Sequence, residues 1–361
     1  MNDANELISF IASMSGEGNL RVEENLGEGY VRLRVSEAER RQAKHDIQHV
    51  EDIVIEMLRN ARDAGADKVY LATTKEEGVR TLLFLDNGSG VPQDMQERIF
   101  DARVTSKLES MKMDRWGVHG RGMALFSIKQ NTDEARVVTS GVDLGSAFKV
   151  CVATDRLGER ADQSSWPQAV KDEDGRYVCA RGPHNIIRAA CEFALEELRC
   201  CDVYLGSPSE IAATLYAQAS SRLDTSRLLF IDDEYELPVI DRLGLASDAE
   251  DFIRICSGLG LEMSERTAHR ILSGQIKPVR GVTARLLRER DSTSHAPAPI
   301  DLAKDRRGLR IAKDDMAQFS RAVERDFNDL AARYYLNLCG DPKIRVSRDR
   351  ITVTFDLAKE E

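Results

Sequence analysis

Three short strings hold the residues able to do chemistry. In Glu56-Met57-Leu58-Arg59-Asn60-Ala61-Arg62-Asp63-Ala64, the residues Glu56, Asn60 and Asp63 stand at i, i+4 and i+7, so a helix presents them on one face. Ile53, Met57 and Ala61 fall on another face, suited to a sheet. A carboxylate one turn from a carboxamide can do two jobs together. Glu56 can take a proton from an attacking water. The Asn60 amide oxygen can ligate Mg²⁺, a hard cation that keeps water and phosphate as its other ligands. A solvated polar stripe on an amphipathic helix has the same spacing.

The second string, Asp86-Asn87-Gly88-Ser89-Gly90-Val91, follows an apolar strand. Its two glycines let the backbone approach a ligand. Asp86, at a strand end, can accept a hydrogen bond from the amino group of a base. The same letters make a good tight turn. The third string, Gly117-Val118-His119-Gly120-Arg121-Gly122-Met123-Ala124, opens a helix. A nest of amides at a helix N-terminus binds phosphate. It lacks G-K-[ST] and is no Walker loop, and no strand directly precedes it, as a Rossmann fingerprint requires. A flexible glycine loop is the plain alternative.

The elements that must position these strings are legible too. Residues 19–22 and 30–35 alternate apolar and polar around Gly27-Glu28-Gly29, a hairpin signal. Ser36 is an N-cap for a helix to Ala64, with a break near Gln48 or Val50 where the apolar pattern begins. Strands follow over 68–74 and 80–85, and a helix over 92–99 with proline in its first turn. Residues 101–120 read as a mobile loop. A buried helix over 122–131, strands at 135–140 and 146–154, a polar insertion at 156–176, a helix at 185–198, a strand at 202–205 and a helix at 207–219 complete this half. Residues 291–300 (DSTSHAPAPI) are the best linker, and a helix near 314–335 and a strand at 351–355 come after it.

Composition narrows the class. The chain has 361 residues, 42% apolar and 31% charged, which fits two or three globular domains. No run of about 18 apolar residues offers a membrane span, and the first residues lack the pattern of a signal peptide. Seven cysteines without a C-x-x-C exclude a zinc ribbon and a thioredoxin-like motif and suit reduced thiols in a cytoplasmic protein. His45 and His49 are spaced for a shared metal, but no third ligand accompanies them. A formal charge of −10 argues against a coat of basic charge for nucleic acid, though not against a local patch.

The order of the strings is more specific than any one of them. An acidic/Asn helix, a strand, D-x-G-x-G, a lid-like loop and a glycine nest opening a helix resemble the superfamily of gyrase, the ninety-kilodalton heat-shock chaperone, histidine kinases and MutL. The resemblance covers roughly residues 20–205. It implies an α+β fold: a Bergerat-type ATP-binding α/β sandwich, a mixed sheet with helices on one face, followed by a smaller helical domain. Domains are expected at 1–222 for ATP binding, 223–292 for a basic helical module, and 301–361 for a C-terminal helix and strand. Thr105-Ser106-Lys107 looks like the T-S-K of MutL and of the topoisomerase VI B subunit, and the nine residues between Lys107 and Gly117 resemble the latter more. Asp63-Ala64-Gly65-Ala66 also looks like these branches.

The resemblance implies roles. Glu56 would be the general base and Asn60 would hold Mg²⁺, with Asp63 beside them in the ATP-binding set. Asp86 would read the adenine amino group, with Gly88 and Gly90 making room for the ring. Ser106 and Lys107 would approach the nucleotide from the lid, Lys107 as a point charge for phosphate. Gly117, Val118, His119, Gly120, Arg121, Gly122, Met123 and Ala124 would wrap the phosphates. The stretch after the linker is shorter than the transducer domain of these families, so the lysine that reaches the γ-phosphate has no motif here; Lys277, Lys304 and Lys313 stand as candidates.

From Arg266 to Arg290 seven basic residues face one acid, a net of +6. Ser264-Glu265-Arg266-Thr267-Ala268, with Gly260 before it, resembles the start of the second helix of a helix-turn-helix. Arg266, Arg270, Lys277, Arg280, Arg285 and Arg288 are the candidates for contact with DNA phosphates; a solvated face or a docking surface for an acidic protein fits equally. The implied activity is an ATP-driven switch that forms an ATP-dependent homodimer and acts on DNA or with a DNA-processing protein in topology or repair, with no membrane partner. Two other readings remain: a nucleotide-sensing adaptor with little hydrolysis, and a histidine-kinase-type phosphotransferase, for which His45 and His49 lie too close to the site's own helix.

Overall fold

Residues 22–33 form an antiparallel hairpin, β1 (Val22–Gly27) and β2 (Tyr30–Leu33). Its turn residues Glu28 and Gly29 have φ of 47° and 81°, the left-handed pair that a two-residue hairpin turn needs. The computed structural model describes residues 22–106, 112–119, 122–198, 200–223, 233–287, 313–331, 336–346 and 351–359. The chain divides into two compact units, Met1–Arg290 and Asp291–Glu361.

The helix expected from Ser36 to Ala64 is two helices, α1 (Glu37–Asp46) and α2 (Val50–Asp63). Ser36 caps α1 in a capping box with Glu39, worth about 1 kcal/mol. The break at 47–49 stands where the apolar stripe begins: α1 buries only Ala43, whereas α2 buries Val50, Ile53, Val54, Met57, Leu58 and Ala61.

β3 (Lys68–Glu76) and β4 (Val79–Asp86) pair antiparallel. The helix expected over 92–99 is two 3₁₀ turns, Gln93–Met95 and Arg98–Phe100, in which Gln96 donates to the Val91 and Ser140 carbonyls. β5 (Val104–Thr105) extends the first hairpin. The stretch read as a loop also carries β6 (Lys112–Asp114) paired with β7 (Gly117–His119). After α3 (Ala124–Asn131) come β8 (Glu134–Gly141) and β9 (Gly145–Ala153), the small hairpin of β10 (Gln168–Lys171) and β11 (Tyr177–Arg181) in the polar insertion, α4 (Ile186–Glu196), β12 (Asp202–Gly206) and α5 (Pro208–Arg222). α6 (Ala249–Gly258) and α7 (Glu265–Leu272) follow.

The main sheet has the order β12-β3-β4-β9-β8. β12 runs parallel to β3 and every other pairing is antiparallel, so the sheet is mixed and the class α+β, as expected. The helices, expected on one face, cover both. Leu82 and Phe84 point into a core with α2 and α4, and Leu83 and Leu85 into one with α5 and α6. The unbroken run Leu82-Leu83-Phe84-Leu85 is what a strand buried on both faces requires. Residues 249–272 therefore pack within the first unit.

In the second unit α8 (Lys313–Ala331) accompanies β13 (Leu336–Leu338), β14 (Lys343–Val346), β15 (Ile351–Thr354) and β16 (Leu357–Lys359). β13 pairs with β16 and β14 with β15. Phe327 stacks on Phe355, ring centroids 4.0 Å apart. Among the described residues no helix is long and apolar enough to cross a membrane. The cysteines are free thiols, and burial pushes Cys201 up to about 12.

Candidate functional site

A cavity of about 490 Å³ opens beside the C-terminal half of α2, a volume suited to a small-molecule ligand. Glu56, Met57 and Asn60 of α2, with its C-cap residue Ala64, form one wall, and Asp86 at the end of β4 adds a buried carboxylate. Phe84, Ile99 and Phe148 give apolar surface, and Gly122, Met123 and Ala124 bring the start of α3 to the rim. The site thus combines a polar helix face, a strand-end carboxylate, apolar wall and a helix N-terminus.

Asp86 is 4% exposed. Its Oδ1 accepts the Gly88 N–H at 2.8 Å, which restrains the carboxylate against its own turn. Gly90 has φ of 69°, and a Cβ there would lie 1.8 Å from the Gly141 carbonyl oxygen, so only glycine fits. Ser140 secures the same turn: its hydroxyl accepts the Val91 N–H at 2.8 Å and donates to the Gly145 carbonyl at 2.8 Å.

Gly122, φ 68°, is the second position where glycine is required, since a Cβ would meet the Val104 carbonyl oxygen at 2.7 Å. Its own carbonyl accepts the Arg103 N–H at 2.9 Å. The start of α3 is thereby docked on β5, whose neighbour Ser106 hydrogen-bonds Tyr30 of β2. Burial pushes the Tyr30 phenol above its ordinary value, and the Ser106 bond offsets part of that. Arg103, whose side chain is buried, is paired with Glu39 of α1.

The polar face of α2 is a buried ionic network. Arg59 Nη1 donates to Glu56 Oε1 at 2.6 Å, while its Nε and Nη2 donate to the two oxygens of Asp114 at 2.9 and 3.0 Å. Arg62 reaches Asp63, Asp114 and Glu197 at 2.9, 3.0 and 3.1 Å. Burial raises the Asp114 pKa, but the Arg62 hydrogen bond, the Arg59 charge and the Trp116 N–H outweigh it and hold the carboxyl below its ordinary value. Arg62 is itself raised: its bonds to Asp63 and Asp114 overcome the opposing effect of burial.

The structure brings Glu56, Asn60, Asp86, Gly90, Ser106, Gly122, Met123 and Ala124 to one cavity. Asp63 is turned into its pair with Arg62, its side chain 2% exposed. Gly88 faces Ala64, whose Cβ and carbonyl oxygen lie 2.8 and 2.9 Å from where its own Cβ would be. Gly117, Val118 and His119 form β7 rather than a nest opening the helix. Lys107, Gly120 and Arg121 lie outside the described residues. The sequence reading missed Arg59, Asp114 and Tyr30. Arg59 carried a signal, its i, i+3 spacing from Glu56; Asp114, 55 residues on from Arg59, carried none.

α6, the turn at Gly260 and α7 have the helix-turn-helix order, with Ser264 capping α7 by accepting the Thr267 N–H. Arg266, Arg270, Lys277 and Arg280 are exposed. Arg285 stacks its guanidinium 4.0 Å from the centre of the Trp166 ring, and Arg288 lies outside the described residues.

Residues 47–148 match the model of a family described as histidine kinase-, DNA gyrase B-, and HSP90-like ATPases. The chain is similar to the DNA mismatch repair protein MutL of Brucella abortus (strain S19), 34% identical over 112 residues, covering 31% of this chain and 18% of that protein. The MutL protein of Thermodesulfovibrio yellowstonii is 31% identical over 107 residues, 29% of this chain and 19% of the relative. That of Pediococcus pentosaceus is 31% identical over 115 residues, 31% of this chain and 17% of the relative. Less than a fifth of each relative's length is thus spanned. The family match begins at Ile47 and ends at Phe148, and both of these residues line the cavity. The matched stretch supplies most of the cavity wall, with Tyr30, Glu39, Gln42 and Asp46 added from before it, and residues 47–148 of this chain belong to the histidine kinase-, DNA gyrase B- and HSP90-like ATPase superfamily.

Proposed function

We propose that this cavity binds ATP with Mg²⁺ and hydrolyses it, and that the nucleotide switches the segment from Asp101 to Ala124, favouring a homodimer that works with DNA or a DNA-processing protein. The observation that carries this reading is that Glu56 and Asn60, one helical turn apart, share a cavity with the strand-end carboxylate Asp86 and the start of α3. Asp86 accepts from the adenine amino group while Ile99 and Phe148 flank the ring. The amides at the start of α3 meet the phosphates. Glu56 takes the proton of the attacking water.

The donor set fits Mg²⁺. Asn60 offers a neutral oxygen, and the open cavity leaves the other positions to water and phosphate. Among the described residues no three His, Cys, Asp or Glu converge on a site that would hold a metal by protein ligands alone. Bound at Asn60, Mg²⁺ would neutralise phosphate charge.

Calorimetry with a non-hydrolysable ATP analogue and Mg²⁺ tests the pocket. Asn60→Ala and Asp86→Asn are each expected to weaken binding; unchanged affinity in both undoes the assignment. Intact affinity without turnover in the parent would make the chain a nucleotide-sensing adaptor instead.

The DNA part of the reading rests on the exposed basic residues of α7 and the turn after it, in a chain otherwise acidic. Duplex binding should fall by roughly 0.9 log units per tenfold salt for each phosphate neutralised. The triple change Arg266→Glu, Arg270→Glu and Arg280→Glu should abolish it and leave ATP binding intact. Equal DNA binding by parent and variant at low salt removes DNA from the function.

A further inference from the structure

We propose that Arg59 is a positioning residue that ties the orientation of Glu56 to the seating of the β6–β7 hairpin, through Asp114. The inference rests on the reading of the cavity as an ATPase site. Arg59 is almost wholly buried, its side chain 3% exposed, and its guanidinium is planar and rigid. Two of its nitrogens grip the Asp114 carboxylate side by side, and the third meets Glu56. A planar fork held at two points has no freedom left at the third, so where Asp114 sits decides where Glu56 is held.

Asp114 closes β6, in the middle of the segment whose two ends, Ser106 and Gly122, line the cavity. A shift of those ends that carries the hairpin along therefore moves the partner of Arg59. The hairpin also has its own seat on α4. Trp116 packs on Phe193 with ring centroids 6.3 Å apart, Arg115 lies 3.4 Å from Glu192, and the Trp116 N–H donates to Asp114 at 3.0 Å. Arg62 is the other cation on Asp114, but it bonds Asp63 and Glu197 rather than Glu56. Arg59 bonds on both sides: to the hairpin carboxylate of Asp114 and to the candidate base Glu56.

The test uses the full chain. Asp114→Asn keeps the shape of the side chain and removes the charge that holds Arg59. Turnover (kcat) should fall by about tenfold to a hundredfold, the scale of a misplaced catalytic group. KM and the affinity for a non-hydrolysable ATP analogue should stay within about threefold, and Asp114→Glu should recover much of the rate. Added to Glu56→Ala, Asp114→Asn should cost nothing further, because the group it positions is gone. In a Trp166→Phe background, Trp116 fluorescence reports whether the hairpin remains seated.

The proposal is overturned if Asp114→Asn keeps kcat within about twofold of the parent, or lowers the residual rate of Glu56→Ala by the factor it shows alone. It is likewise overturned if affinity falls in step with kcat. A parent that turns ATP over while Asp114→Asn is unaffected removes the coupling only. A parent that binds nucleotide without turnover removes the ATPase reading and the coupling with it.

Discussion

The two faces of the five-stranded sheet are covered by helices of opposite character. On the α2 and α4 side, buried guanidinium and carboxylate groups lie beside the apolar core: Arg59, Arg62, Asp63 and Asp114 all have side chains less than a tenth exposed. On the α5 and α6 side, the core is Ile211, Leu215, Phe252 and Ile255 with several alanines. The buried Arg242 there serves structure, donating to Thr139 Oγ1 at 2.8 Å and to the Leu237 carbonyl at 3.2 Å. One face holds charge in place at a cavity; the other excludes water. Function and stability should therefore be separable by which face is changed.

The largest expected effect breaks the first face without touching the second. Glu56→Ala should lower turnover by about 10²–10⁴-fold at little cost in melting temperature, because the buried Arg59 keeps both of its bonds to Asp114. Steady-state kinetics and calorimetric melting check both halves. Wild-type-like turnover would take Glu56 out of the base role.

The converse change is on the second face. Phe252 is fully buried and packs edge-on against Tyr216, ring centroids 5.6 Å apart. Phe252→Ala should cost about 3–5 kcal/mol in urea unfolding, and the folded fraction should keep its affinity for nucleotide. A loss of affinity in fully folded protein would mean that the faces are not independent.

Acid should sharpen the contrast to a smaller degree. The folded pKa of Asp114 is lowered, so its stabilising effect is complete above the ordinary carboxylate value near about 4 and is lost as pH falls through the lower folded value. Amide exchange in the hairpin, referenced to β4, should accelerate below about pH 4. Equal acceleration in both would assign the effect to global unfolding. The smallest effect is Ser36→Ala, which should remove about 1 kcal/mol through the α1 cap and leave turnover unaltered.

How much of this was legible in the letters depended on how far apart in sequence the partners are. The hairpin turn, the Ser36 cap, the α1–α2 break and the strand pairs are local, set by a few adjacent residues. The Glu56 and Asn60 face followed from helical spacing alone. What escaped was set at a distance. The stretch at 101–120 looked like a loop because its glycines and methionines carry no period. Asp114 and Trp116 give it a seat only through Arg59, Arg62 and Phe193. Asp63 shares the spacing of Asn60 but is drawn aside by its neighbour Arg62, a competition that helical periodicity does not express. The second covered face was written in Leu82-Leu83-Phe84-Leu85, whose lack of alternation is itself the signal.

The corner between β8 and β9 sets a timetable for the pocket. The Asp86–Val91 turn leans on Ser140, Gly141 and Gly145, and the Ser89 carbonyl accepts the Asp143 N–H at 2.7 Å. As the chain leaves a ribosome, Asp86 emerges some fifty residues before that corner, and the α2 string roughly eighty. At about 5–20 residues per second the delay is roughly 3–10 s. Until it ends, the turn has its bonds to Asp67, Lys68 and Ala64 but lacks those to Ser140 and Asp143 and the wall that fixes its path, so the cavity is incomplete during the early steps of folding. A fragment stopped before Ser140 would carry Glu56, Asn60 and Asp86 and still have no site.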